Sequence, residues 1–475
     1  MVFSSTVFLF VFLPIVLGVY FLLPRMLRNS WLLVMSLLFY AWGAKVFTLA
    51  MLGSIGVNYL MGLVVDRFRG RRHAIWAVAV GVIINLSLLI CYKYAGFLVD
   101  LLNPLLALLH FAPIHIKPVH MPIGISFFTF HAISYVVDVY RGHAKVQRNI
   151  LNFALYESLF PQLVAGPIIR YQDIADQIDE RKEKLVDFAY GVRRFILGLS
   201  KKVLIANILA GPAGQIFDMR TEDLTAPVAW LGVVCYALQI YFDFSGYSDM
   251  AIGLGRMFGF KFVENFNYPY ISRSVQEFWR RWHISLSTWF RDYLYIPMGG
   301  NRVPPWRVYF NLVTVFFLCG LWHGASWNFV IWGLLHGLFL ALERQKWMAW
   351  MEKIWAPLRH IYTMVVVLVG WVFFRSENFP LACSYLKAMA GFGHGDGTLQ
   401  HASQYLNPLA WMALCAGIVG SLPVAISMRK LDEGKPPMLE NVFALVRTAM
   451  LGLLFALCAM QLAAGTYNPF IYFRF

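Results

Sequence analysis

The run VYFNLVTVFFLCGLWHGASWNFVIWGLLHGLFLAL, residues 308–342, decides the fold. It is apolar almost throughout, and its two imidazoles are His323 and His336. Two candidate spans fit it, near 308–322 and 326–342. The segment Leu318-Cys319-Gly320-Leu321-Trp322-His323-Gly324-Ala325-Ser326-Trp327 lies at their junction. A titratable side chain at bilayer depth is costly, so it usually faces a protein interior or an aqueous cavity and acts there. His323 is therefore the centre of the reading.

The rest of the chain makes that depth real. Of 475 residues, 59% are hydrophobic and 14% charged, against about 25% charged in a soluble domain. Apolar runs extend from end to end, so 1–475 reads as one integral-membrane unit, an all-α polytopic helical bundle. The aromatic share of 17% suits interfacial belts and a packed bundle. A net charge of +15 could suggest nucleic acid. Here Lys and Arg gather in short loops beside apolar spans, as in cytoplasmic loops facing anionic membrane lipid, and a nucleic-acid partner is not expected. The six cysteines are scattered without a CxxC pair, which argues for small buried hydrophobes rather than disulfides or a metal site. Met1 to Leu23 lacks a basic n-region and a small-residue cleavage site, so it reads as a retained first span.

Further candidate spans lie near 7–24, 31–43, 46–65, 74–93, 121–140, 150–166, 226–244, 361–374, 407–427 and 442–463. Several are shorter than the roughly 20 residues a straight crossing needs. Segments 97–109, 247–260 and 378–392 read as re-entrant or interfacial. Arg25 and Arg28, then Arg67, Arg69, Arg71 and Arg72, place those loops in the cytoplasm and the N-terminus outside. The polar stretches 170–187, 394–404 and 430–440 are too short for a separate soluble domain. No internal repeat is visible, which weakens an inverted-repeat transporter. Residues 188–203 form a basic amphipathic helix. Phe188, Val192, Phe195, Leu199 and Val203 share a face, with Arg193, Arg194, Lys201 and Lys202 around it. On pattern alone this is an interfacial helix on anionic lipid.

Four segments depart from a plain bundle. Tyr241-Phe242-Asp243-Phe244-Ser245-Gly246-Tyr247-Ser248-Asp249 follows an apolar span. Asp243, Ser245 and Asp249 there can bind a cation or a polar substrate, or can cap a helix and end the span. In Gln276 to Asp292, Trp279, Trp282, Leu286, Trp289 and Tyr293 make a helical apolar stripe. Such a stripe is usually packing. Arg280, Arg281 and Arg291 lie off it and can pair with Glu277, Asp292 or a phosphate. His283 sits beside it, as a structural or a catalytic imidazole. At His323, Gly320 and Gly324 let the backbone approach a neighbour or ligand closely, and a buried neutral imidazole can take a proton from a hydroxyl. His336 shares a helix face with Glu343.

The spacing of His283, His323 and His336 matches no compact metal-ligand motif, and no bound metal is expected. No GxSxG elbow, Walker loop or GxGxxG after a strand occurs, so serine hydrolase, nucleotide-driven pump and dinucleotide enzyme lose ground. Enzyme and transporter both remain open on residues alone.

Tyr241–Gly253 (YFDFSGYSDMAIG), Phe278–Thr288 (FWRRWHISLST), Arg291–Gly300 (RDYLYIPMGG), Gly320–Ala325 (GLWHGA) and Trp371–Arg375 (WVFFR) together resemble the membrane-bound O-acyltransferase family, in its bacterial alginate O-acetylase branch. Met121–Gly142, Leu163–Tyr171 and the N-terminal stretch extend the likeness. Its core motifs lie at about 121–376, and it fades over 377–475.

The resemblance implies a bundle of about eleven spans, with short tilted helices around a thinned centre and a tunnel. It implies transfer of an acetyl group from cytoplasmic acetyl-CoA, a substrate and not a permanently bound cofactor, to a hydroxyl outside the bacterial inner membrane. The acceptor would be alginate or a similar exopolysaccharide, or a periplasmic SGNH-hydrolase-like acetyltransferase partner. Peptidoglycan and cellulose are the next readings, and an acyl-group transporter is the alternative of another class. The family's key histidine falls on His323 and its second polar position on His283. Trp322 adjoins the first, and Lys201, Lys202, Arg280 and Arg281 are candidates for coenzyme A phosphates.

Overall fold

The computed structural model describes residues 2–117, 121–220, 222–344, 346–393, 395, 401–424 and 437–465. Among these every regular element is helical and none is a strand, as the sequence predicts. Six helical stretches among the described residues are long and apolar enough to cross a membrane: Arg25–Arg67, Arg72–Leu108, Leu185–Phe217, Ala226–Met257, Ala356–Arg375 and Asn441–Ala463. Phe8–Leu22, Trp327–Glu343 and Pro408–Gly420 are shorter apolar helices. The chain is a multi-pass membrane protein.

It divides into two compact units, residues 1–191 with 251–263 and residues 192–250 with 264–475. In the first, α1 (Leu13–Leu22), α2 (Arg25–Ala44), α3 (Thr48–Arg67) and α4 (Arg72–Leu89) precede α5 (Ile125–Arg141) and α6 (Ile150–Ser158). Helix α5 is buried along most of its length and packs on α3 and α4. Gly62 makes that approach possible, because a Cβ there would collide with the Tyr135 ring. Asn58 and Asn85 pair their amides between α3 and α4, at 2.7 and 3.2 Å, so neither buried amide is stranded.

Segment 97–109, which the sequence reads as re-entrant or interfacial, is continuous with the helix before it. The helix begun at Arg72 continues through a π-helical turn at Ile90–Tyr94 and on to Leu108. No Gly or Pro falls between Leu89 and Ala95 to stop it.

The second unit takes in α7 (Leu185–Ser200) from Val192 onward and α8 (Ala226–Met257) as far as Met250. It continues with α9 (Val275–Arg281), α10 (Ile284–Phe290), α11 (Pro305–His323), α12 (Trp327–Glu343), α13 (Ala356–Arg375), α14 (Pro408–Gly420) and α15 (Pro437–Ala463). Here too the structure corrects an expectation. The sequence reads the stretch 247–260 as re-entrant or interfacial, with 241–249 a possible span end. Instead α8 runs unbroken to Met257. The carboxylates do not end the helix because each has a cationic partner: Asp243 meets Lys202, and Asp249 meets Lys201 and Arg194.

The expected stripe from Trp279 to Tyr293 is likewise not one helix. It breaks at His283, whose φ of 45° is left-handed, into α9 and α10. The packing role of Trp279, Trp282, Leu286 and Trp289 holds, since all four are buried. Helices α11 and α12 cross where a Cβ on Gly320 would strike the Phe329 carbonyl and one on Gly333 the Phe316 carbonyl. Only glycine permits that distance.

Candidate active site

His323 is the last residue of α11, and the chain turns there because Gly324 adopts an extended backbone before α12 begins. Its imidazole is 5% exposed. Aromatic rings surround it edge-on: Trp322 at 4.8 Å between centroids, Trp332 at 5.0 Å and Phe374 at 5.1 Å. These come from α11, α12 and α13, so three helices fix one imidazole. Trp332 also meets His336 at 5.1 Å, one helical turn along α12.

His283 caps α10 and is fully buried. Its Nδ1 lies 3.2 Å from Asn265 Oδ1. That oxygen also accepts the Ser285 backbone N–H at 3.2 Å and the Ser285 hydroxyl at 2.9 Å. The Asn265 amide nitrogen in turn donates to Ser248 Oγ at 2.9 Å. An amide oxygen can only accept, so Nδ1 carries the proton and Nε2 the lone pair. Nε2 is buried with no hydrogen-bond partner among the described residues. The same holds for His336 Nδ1 and for the indole nitrogens of Trp279 and Trp332. Native interiors rarely leave polar atoms unsatisfied. Ring nitrogens so left suit a site filled by a polar ligand or water.

Trp322 joins the two imidazoles, its ring 6.2 Å from that of His283 and 4.8 Å from that of His323. The two histidines expected to act together therefore share one indole neighbour.

A charged wall lies on α7, α8 and the segment after it. Asp249 accepts from Arg194 at 2.6 Å and from Lys201 at 2.6 Å, and Arg194 also holds Glu264 at 2.5 Å. Two cations and two carboxylates thus form one network, with Lys201 and Arg194 partly exposed. It borders a cavity of about 1060 Å³ lined mostly by apolar residues such as Leu204, Met412 and Leu457, with Ser200 and Asn267 among its polar ones. Ile284, next to His283, is part of the same wall.

The structure thus gathers His323, Trp322 and His283 at one place and Lys201 with Asp249 at the cavity rim. Lys202 is different: it points inward onto Asp243 at 2.5 Å, and both side chains are almost fully buried. Its ammonium is held by that carboxylate. Ser245 is buried, and its hydroxyl has no hydrogen-bond partner among the described residues. Arg281 pairs with Glu277 at 2.9 Å and donates to the Asn267 carbonyl, while Arg280 is exposed. Asn265 and Glu264 were not singled out in the sequence. They sit in the loop after α8, whose residues carry no periodic signal.

The family model for MBOAT, the membrane-bound O-acyltransferase family, matches residues 123–384, which include every residue of this site apart from the α14 and α15 cavity wall. The chain is 43% identical over 505 residues to the probable alginate O-acetylase AlgI of Azotobacter vinelandii, covering 100% of both chains. It is 41% identical to the Pseudomonas aeruginosa protein of the same name, again over 100% of both. The peptidoglycan O-acetyltransferase of Helicobacter pylori is 34% identical, over 100% of this chain and 98% of that one.

Proposed function

This chain belongs to the membrane-bound O-acyltransferase family, and from that premise we propose that it moves acetyl from cytoplasmic acetyl-CoA to a hydroxyl of alginate or a similar polysaccharide outside the inner membrane. It is an acyltransferase. One observation carries the finer reading: His323 and His283, both buried, each contact the ring of Trp322.

The chemistry follows from that placement. The His323 imidazole takes the proton of the acceptor hydroxyl as its oxygen attacks the thioester carbonyl. The C–O bond forms and the carbonyl electrons move onto oxygen. Collapse breaks the C–S bond, and the coenzyme A thiolate recovers the proton from the His323 imidazolium. His283 Nε2, which carries the lone pair, accepts a hydrogen bond from the acceptor molecule and orients it; in this tautomer it does not donate to the oxyanion. General-base assistance of this kind contributes about 10²–10⁴-fold.

The rim cations favour donor entry from the cavity. Lys201 and Arg194 are partly exposed point and fork charges suited to phosphate. Arg280, exposed on α9, is a further candidate. Lys202 is not carried forward as a phosphate contact, because its side chain is only 3% exposed and turned inward onto Asp243, whereas Lys201 and Arg194 reach solvent beside their carboxylates.

The acceptor is either a sugar hydroxyl directly or a hydroxyl of a periplasmic SGNH-hydrolase-like partner. Likeness to the Helicobacter protein supports peptidoglycan as the second reading of the polymer. Purified full-length protein supplied with acetyl-labelled acetyl-CoA tests both. Label is expected in alginate oligomers, alone or with the partner present. Label appearing in peptidoglycan fragments instead would move the assignment, and thiol release with neither acceptor labelled would defeat it.

A further inference from the structure

Helix α9 is only seven residues long, from Val275 to Arg281. A helix this short is unstable alone, so its position must come from what holds its ends. At the start, Ser274 Oγ accepts the Glu277 N–H at 3.0 Å as the N-cap, and Glu277 Oε2 reaches back to accept the N–H of Arg273, the residue before the cap, at 2.9 Å. The next two N–H groups of the first turn are those of Val275 and Gln276. Both end on one carboxylate from another helix: Glu343 Oε1 accepts from Val275 at 2.7 Å and Oε2 from Gln276 at 2.8 Å.

Glu343 is the last residue of α12 and is 3% exposed. Its charge sits at the positive end of the α9 dipole, where charge-assisted hydrogen bonds are strongest. Helix α12 is itself locked to α11, and so to His323, by the Gly320 and Gly333 crossing. The far end of α9 leads through Trp282 to His283, where Asn265 takes over. Between the ends, Trp279 packs at 5.2 Å from His336 and 5.6 Å from Trp332.

We propose that Glu343 is a positioning residue for His283: its carboxylate ties the helix ending in that imidazole to the helix pair that carries His323, and so sets the spacing of the two groups. Both oxygens are engaged by backbone N–H groups, and Tyr362 donates to Oε1 at 3.2 Å. Glu343 therefore acts through α9 and not on substrate. This rests on the acyltransferase reading above, in which both histidines serve one transfer.

The test uses full-length enzyme in nanodiscs, with acetyl-CoA and alginate oligomers as substrates. In Glu343→Ala the imidazole loses its anchor, and kcat is expected to fall about 10- to 100-fold, the cost of a misplacement near 1 Å. KM for acetyl-CoA should stay within about twofold, and His283→Ala should show the same split. Glu343→Gln keeps one acceptor oxygen and turns an NH₂ toward the other N–H, so it should fold and give an intermediate kcat. Tyr362→Phe removes a hydrogen bond from the same carboxylate without touching α9 and should behave as wild type. Folded fraction is measured in parallel by size exclusion and thermal melting. An unchanged kcat per folded molecule in Glu343→Gln, or a loss confined to KM, overturns the inference. His323→Ala separates the two levels: if it stays active the acyltransferase reading fails, and if it is dead while Glu343→Gln turns over normally only the positioning role fails.

Discussion

Lys202 forms an ion pair with Asp243 at 2.5 Å in the interior of the second unit, with side chains 3% and 2% exposed. An ion pair taken this far from water is costly to break from one side, because the remaining charge has no solvent to return to. Lys202→Met should therefore destabilise the protein by about 3–5 kcal/mol. Lys202→Met combined with Asp243→Leu should recover most of that loss. Denaturant or thermal unfolding in detergent reads the difference, and a silent single variant would contradict the pairing.

Lys201 occupies the next position yet has another task, since its ammonium reaches the cavity rim while holding Asp249 at 2.6 Å. Lys201→Ala should raise KM for acetyl-CoA about tenfold, or ~1.4 kcal/mol of donor binding, with kcat little changed. Added salt should weaken wild-type donor binding in the same direction. Ala416→Trp, which places an indole in the cavity lined by Ala416, should also raise KM. If neither substitution moves donor affinity, the basic face of α7 and of the π-helical segment Lys201–Ala206 after it serves only to rest on anionic lipid.

Asn265 fixes the tautomer of His283 through Oδ1. Asn265→Ala removes the acceptor for three donors at once and should lower kcat about 10- to 100-fold. Ser248→Ala touches only the amide nitrogen of Asn265 and should cost far less. Equal losses in the two variants would show that the amide matters for folding rather than for the imidazole.

Glu183 of the first unit lies in the polar stretch between helices. Burial alone would raise its carboxyl, but hydrogen bonds from Tyr20 and Arg28 outweigh that and hold it below the usual range. A carboxyl depressed on folding stabilises at pH above its unfolded value, and the contribution disappears as pH falls through the folded value. Melting temperature should therefore drop on acidification below the ordinary carboxylate range. Glu183→Gln should flatten that part of the profile. An identical acid limb in both proteins would assign the effect elsewhere.

Much of the site was legible because membranes make polar residues conspicuous. His323 stood out as an imidazole in an apolar run, and Gly320 as a residue needed for close approach. Asp243 and Asp249 were visible but ambiguous, since a sequence does not show which distant cation meets them. Their pairing with Lys202 and Lys201 is what lets α8 continue past Gly246. The break at His283 was hidden because the tryptophan stripe keeps helical spacing on both sides of it. Asn265 was invisible for a simpler reason. A loop asparagine acquires meaning only from the ring it faces, and Glu343 likewise from the two N–H groups it receives.

The account is tested most directly on His323→Ala, sealed in vesicles with acetyl-CoA on the cytoplasmic side and acceptor on the other. It predicts a folded protein of normal melting temperature whose thiol release and acetyl-ester formation both fall at least about 100-fold. Wild-type rates of acetyl transfer by that variant would contradict it.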